Sequence, residues 1–279
     1  MLEQIKFINH LNESMEWGKN GIYVNYNDLH DYSWSIVSEN NKISQFEKGI
    51  VNKTIPLKIY CTDIEKGLAI KNQLMEIAEK DVLAMEYGKI IIGDYYLKCY
   101  ITGSTKGNYL IHKGYLEVTL TIATDLPQWV CETTQSFFKE GNPVEVYDVS
   151  SNYLDYPFDY SIDYLNSLHE RKINNTNFVS SEFEMIIYGA VSNPVVFIGG
   201  HAYEVCCEVS ENEYLTINSR TKTIVLTRYN GEKVNCFKHR NKQSYVFEKI
   251  PSGNNIVVWN GNWGFDITLF EERSEPKWI

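Results

Sequence analysis

From Phe183 to Phe270, apolar and polar residues alternate in short runs separated by turn residues. This is the pattern of strands that bury one face. Candidate strands are Phe183–Tyr188, Val195–Ile198, His201–Val209, Tyr214–Asn218, Thr223–Thr227, Tyr245–Glu248, Asn255–Trp259 and Phe265–Phe270. Gly199-Gly200, Asn230-Gly231 and Asn260-Gly261 fall between them as turns of hairpin grade. About eight strands in about ninety residues predict a jelly-roll or galectin-like β-sandwich.

Before this stretch the periodicity is mixed. Ile5–Ile8 and Met15–Trp17 read as the arms of a hairpin around Asn9 to Glu13, and Ile55–Tyr60 alternates as a half-buried strand. Thr62-Asp63-Ile64-Glu65 fits a capping box at a helix start. Ile64, Leu68, Met75 and Ala78 then recur at helical spacing, with Leu74 and Ile77 beside them and Gly67 as a mild internal cost. Lys89–Ile92 and Tyr95–Lys98 flank Gly93-Asp94 as a two-residue hairpin, and Tyr115–Ile122 is a long alternating strand that completes the same sheet. The fold class is therefore mainly β, with one helix in an N-terminal domain and a sandwich at the C-terminus.

Charge divides the chain further. Residues 1–130 carry 16 acids and 13 bases, residues 131–170 carry 8 acids against Lys139 alone, and residues 171–279 carry 12 of each. Tyr153, Tyr156, Tyr160 and Tyr164 surround Pro157 in the acidic middle, which reads as an irregular connector. The expected domains are 1–131, a connector over 132–172, and a sandwich over 173–279.

Composition narrows the function. With 43% apolar residues the chain buries enough surface to fold. No stretch reaches the roughly 20 apolar residues of a membrane helix, so no membrane insertion is expected. The start, Met1 to Lys6, lacks the pattern of a signal peptide, which predicts synthesis and folding in the cytosol. A net charge of −10 argues against a nucleic-acid surface.

Searches for chemistry find little. The dinucleotide, P-loop, zincin, nucleophile-elbow and EF-hand patterns are absent. Cys61, Cys99, Cys131, Cys206, Cys207 and Cys236 contain no C-x-x-C pair and read as free thiols, with no metal or cofactor implied. Cys206 lies near His201, but both sit in what reads as a strand. Asp155, Asp159 and Asp163 recur every four residues as a solvated acidic face rather than a cation site. Glu271 and Glu272 are neighbours that point opposite ways, a poor pair for glycoside hydrolysis. Trp259 and Trp263 flank Asn260-Gly261-Asn262, where exposed rings would stack on a sugar; packed tryptophans are the competing reading. Lys238-His239-Arg240, Lys242 and Tyr245 form a basic cluster that reads as a solvated loop or as a docking site for an acidic partner. No catalytic residue is assigned, and an enzyme is not expected.

One resemblance covers nearly the whole chain. Ile90-Ile91-Ile92-Gly93-Asp94-Tyr95-Tyr96-Leu97 looks like part of the ring-forming domain of phage distal tail (Dit-like) proteins of siphophages. Phe183–Gly189, Asn193–Gly199, the Tyr203 strand, Tyr214–Asn218, Phe247–Asn255 and the ending Glu275-Pro276-Lys277-Trp278 follow the order of that family's C-terminal half. The resemblance implies a virion structural protein made in the bacterial host cytoplasm and located at the distal end of the tail. It implies a homohexameric ring whose N-terminal domains form an annulus. The ring would join the tail tube protein to the tail-tip, baseplate and receptor-binding components, and DNA would pass through the channel unbound. The alternative is a carbohydrate-binding sandwich that attaches the particle to a host surface through Trp259 and Trp263.

Overall fold

The computed structural model describes residues 4–107, 114–139 and 171–278. The chain is mainly β and separates into two compact units: Met1–Glu132 with Glu272–Ile279, and Thr133–Glu271. The acidic stretch with Asp155, Asp159, Asp163 and the tyrosines around Pro157 lies outside the described residues.

The first unit contains β1 (Ile5–Ile8), β2 (Ser14–Trp17), β3 (Ile22–Val24), β4 (Ser35–Glu39), β5 (Lys42–Glu47), β6 (Val51–Tyr60), α1 (Ile64–Ala84), β7 (Gly88–Ile92), β8 (Tyr95–Lys106), β9 (Tyr115–Thr124) and the start of β10 (Trp129–Phe137). Hydrogen bonding runs β2-β1-β7-β8-β9-β6-β3, antiparallel throughout. β2 and β3 close the two ends of this order, yet only Gly18 to Gly21 separates them in the chain. The sheet therefore curls upon itself. A shift of register between Ile101 and Gly103 bends β8, so its first half pairs with β7 and its second half with β9. Inward residues such as Trp17, Ile55, Ile59, Leu97, Leu120 and Ile122 form one core with Leu74, Ile77 and Ala78 of the helix.

The helix starts one residue later than its sequence suggests. Asp63 is the N-cap, and its carboxylate accepts the N–H groups of Glu65 and Lys66; Thr62 does not cap. A carboxylate at the N-cap also meets the positive end of the helix dipole. Ile64 and Leu68 are 44% and 43% exposed, so the buried stripe begins at Gly67 and continues through Leu74, Ile77, Ala78 and Asp81. Gly67 is a close approach: a Cβ there would lie 3.1 Å from the Cα of Gly114.

The second unit adds β11 (Arg171–Asn175), β12 (Glu182–Tyr188), β13 (Val191–Ser192), β14 (Val195–Ile198), β15 (His201–Glu204), β16 (Glu208–Val209), β17 (Tyr214–Asn218), β18 (Thr223–Thr227), β19 (Lys233–Asn235), β20 (Gly253–Val258) and β21 (Phe265–Arg273). Two sheets, β19-β18-β17-β12-β21 and β11-β20-β14-β15, enclose a core containing Phe183, Met185, Ile217, Phe265 and Ile267 from one and Ile173, Val196, Ile198 and Val257 from the other. This is a β-sandwich.

Three expectations fail locally. Tyr245–Glu248 is a turn, because Val246 and Phe247 are both buried and consecutive residues of one strand point to opposite faces. His201–Val209 breaks after Glu204, where the chain leaves β14; Val205 bridges Arg240 and Cys206 donates to the carbonyl of His239. Asn260-Gly261 makes no hairpin, since β20 and β21 belong to different sheets and the turn carries the chain between them.

Candidate interaction surfaces

Trp259 and Trp263 come together, but as packing. Trp263 is 3% exposed with its ring centroid 5.4 Å from that of Phe265. Trp259 donates its indole N–H to the carbonyl of Trp263 at 2.9 Å and packs edge-on to Phe137 and Phe265. The Arg171 guanidinium lies 4.6 Å from the centre of the Trp259 ring. A sugar stacking on that face would have to displace Arg171, giving up a cation–π contact.

The remaining sequence candidates do not converge. His10 meets Asp81, His30 stacks on Trp278, and His201 contacts the carbonyl of Tyr245. Cys206 is exposed rather than buried in a strand, and its sulfur lies 4.0 Å from Glu204 Oε1. Burial pushes the Cys207 thiol up to about 12, the main cause among several, and it raises that of fully buried Cys99 as well. Glu271 reaches the hydroxyl of Thr176, whereas the charge of Glu272 acts on Lys48. Among the described residues no group of His, Cys, Asp and Glu could hold a metal ion.

The first unit has a cavity of about 240 Å³ lined by Asp28, Asp31, Lys48, Lys53 and Trp129, among others. Burial lowers the pKa of both lysines; the charges of Asp28 and Asp31 partly offset this at Lys53, as that of Glu272 does at Lys48. A lysine with a depressed pKa is a possible nucleophile in an enzyme. Here the ammonium of Lys53 is committed to the carbonyls of Asp28, at 2.7 Å, and Asp31. Lys48 donates to Ser274 Oγ at 2.9 Å and to the carbonyl of Pro127 at 3.3 Å. Both lysines therefore tie loops and the chain end together within this unit.

Sequence reading missed an open apolar surface of the first unit. Among the described residues β4 and β5 pair only with each other, and every residue of β5 is exposed. Trp34, Ile36, Ile43 and Phe46 are each 45–61% exposed, and Ile36 sits opposite Phe46 in the ladder. An isolated two-stranded hairpin is marginal in water, and a displayed set of large apolar side chains commonly marks a contact surface. Its turn, Asn40-Asn41, has φ of +50° and +61°, the signature of a tight hairpin.

Comparison with solved structures finds similar folds. A chain of the phage P2 baseplate in its activated conformation with calcium superposes with a TM-score of 0.61 at 13% identity, covering 99% of this chain and 100% of that one. The fold is similar, end to end, to that of a phage baseplate protein. The strontium form gives 0.61 at 12% identity with the same coverage. SPP1 Dit (gp 19.1), described as a paradigm of the hub adsorption apparatus in phages infecting Gram-positive bacteria, gives 0.55 at 10% identity and covers 96% of this chain and 99% of that one. No protein-family model matches the sequence, and no curated protein does.

Proposed function

We propose that this chain is a structural component of a phage or prophage tail, a distal hub that joins the tail tube to the baseplate and receptor-binding components. The observation that carries the reading is likeness of fold over the full length of both the P2 baseplate chain and SPP1 Dit. Coverage near 100% on each side means that the shared feature is the whole two-unit architecture, not a common sandwich alone.

In this reading six copies form a ring through their first units. A closed ring needs head-to-tail contacts, so each copy must present two different faces. The β4–β5 hairpin supplies an apolar element suited to one of them, because its Ile36, Ile43 and Phe46 are otherwise left in water. DNA passes through without being held: six copies at −10 sum to −60, and acids near the channel would act within a screening length of about 8 Å. The chain performs no catalysis, and the second unit serves as a platform for other tail parts.

The test is solution mass. Light scattering on the purified chain, alone and with the tail-tube protein, should give a species near six times 32.4 kDa, with rings in negative-stain images. A monomer at every concentration, with and without the tube protein, would overturn the ring.

A further inference from the structure

The cavity of the first unit is lined by donors that its own residues do not use up. Lys53 is 6% exposed. An ammonium carries three N–H groups, and the carbonyls of Asp28 and Asp31 take two of those on Lys53. Lys48 turns its own to Ser274 Oγ, to the carbonyl of Pro127 and to the face of Trp34, 4.3 Å from the ring centre. Trp129 lines the same cavity at 1% exposure, and its indole N–H is buried with no acceptor among the described residues. One ammonium N–H and one indole N–H are therefore left over on residues that border a single space of about 240 Å³.

The charges are unmatched too. Among the described residues neither ammonium is in contact with a carboxylate. The two oxygens of Asp28 accept the main-chain N–H and the hydroxyl of Thr54, at 2.7 and 3.0 Å, so its charge reaches Lys53 only through space. Asp31 acts on Lys53, and Glu272 on Lys48, in the same way, and burial outweighs them at both lysines. The charge of Lys53 also bears on Lys48, so the two cations repel each other. A buried charge is costly unless a counter-charge meets it. A water would accept from the spare N–H groups but would leave both charges as they are; an anion answers both needs. Val51, Leu97 and Pro127 complete the lining with apolar surface, which suits an anion carried on a hydrocarbon stem better than one hydrated on every side.

From this combination we propose that the cavity binds a small carboxylate, a short-chain monocarboxylic acid in its ionised form. Its oxygens accept from Lys53 and from the Trp129 indole, the charge of Lys48 stands beside them, and its hydrocarbon lies against Val51 and Leu97. Hydrogen bonds from an ammonium to a carboxylate are of the strong, charge-assisted kind. Lys53 and Trp129 are already fixed by their surroundings and lose little freedom on binding. All the residues involved belong to the first unit, so the site depends neither on ring formation nor on the hub reading.

The test is calorimetric titration of the full chain with sodium propionate. Propionamide, of nearly the same shape without the charge, and inorganic phosphate at equal ionic strength are the comparisons. Propionate should bind saturably and raise the melting temperature as its concentration rises, and both comparisons should bind at least tenfold more weakly. In protein carrying isotope-labelled tryptophan, the Trp129 indole N–H resonance, identified by its absence in Trp129→Phe, should move on saturation with propionate. Those of Trp17 and Trp263, which are also buried without an acceptor, should stay in place. Lys48→Met should lower affinity at least tenfold and Trp129→Phe severalfold, with circular dichroism of each variant establishing that it folds. Where a variant does not fold, the comparison ligands and the indole resonance of the unaltered chain decide. The proposal is overturned if propionate does not bind, if propionamide or phosphate binds as tightly, if the Trp129 resonance stays in place at saturation, or if the folded variants keep full affinity.

Discussion

At the scale of single residues, the densest constraint in the first unit surrounds Asp81. Its carboxylate is fully buried; Oδ1 accepts the main-chain N–H of His10 at 2.9 Å and lies 2.6 Å from His10 Nδ1. Lys80, next to it on the helix, binds both oxygens of Glu13, which also accepts from Asn9. The helix thus clamps the β1–β2 turn. Gly88 makes room for the clamp: a Cβ there would stand 2.2 Å from Asp81 Oδ2 and 2.8 Å from the Phe7 ring. Gly88→Ala should lose about 1–3 kcal/mol in urea unfolding through overpacking. Asp81→Ala should lose about 1–3 kcal/mol by leaving the main-chain N–H of His10 unpaired, and Asp81→Asn, which still accepts from His10, should lose less. Equal losses in both Asp81 variants would show that the carboxylate is not the clamp.

Two tyrosines contribute to the alkaline behaviour through a carboxylate neighbour. The Tyr87 phenol is raised to about 12, chiefly by its hydrogen bond to Asp125, and Tyr188 to about 12 by burial and then by Asp266. An unfolded tyrosine ionises near 10, so the native state holds these protons longer. Their contribution to stability is present below pH 10 and fades between 10 and 12. Absorbance titration of phenolate should show late-ionising groups near pH 12, one fewer in Tyr87→Phe. A titration curve identical to wild type in that variant would contradict the assignment.

At the scale of elements, the legible parts were those whose burial follows a simple period. β7, β9, β12 and β17 alternate cleanly, and Gly93-Asp94 and Gly199-Gly200 turn where the sequence says they should. The helix was legible by its spacing, with its cap one residue off at Asp63; its buried Asp81 was not, because its partner His10 comes from the β1–β2 turn. The β4–β5 hairpin was missed for the opposite reason. Its side chains are exposed on both strands, so no alternation marks it, although Asn40-Asn41 was an available turn signal. The basic cluster from Lys238 to Tyr245 was visible in sequence, yet the contacts of Phe237 and Lys222 with the Phe247 ring arise only across the fold. In the hub reading the hairpin packs against another copy. Ile36→Ser with Phe46→Ser should leave the melting temperature within a few degrees while removing the six-chain species. Rings that persist in this variant would reject the hairpin as a ring contact without touching the hub itself.

At the scale of the whole molecule, the residues that sequence or burial marked for chemistry have other engagements. The lysines of the first cavity are tied to carbonyls and a hydroxyl, the described histidines lie apart, and Trp259 and Trp263 serve packing. Two surfaces stand out among the described residues: an apolar hairpin on one unit and a basic cluster on the other. The proposed hub acts by where it sits. The central claim is therefore tested most directly by locating the chain in the particle, with an antibody raised against it and gold labelling of purified virions in the electron microscope. The account predicts label at the distal tip of the tail, at the junction of tube and baseplate. Particles that carry no label there, or label along the tube or on the capsid, would contradict it.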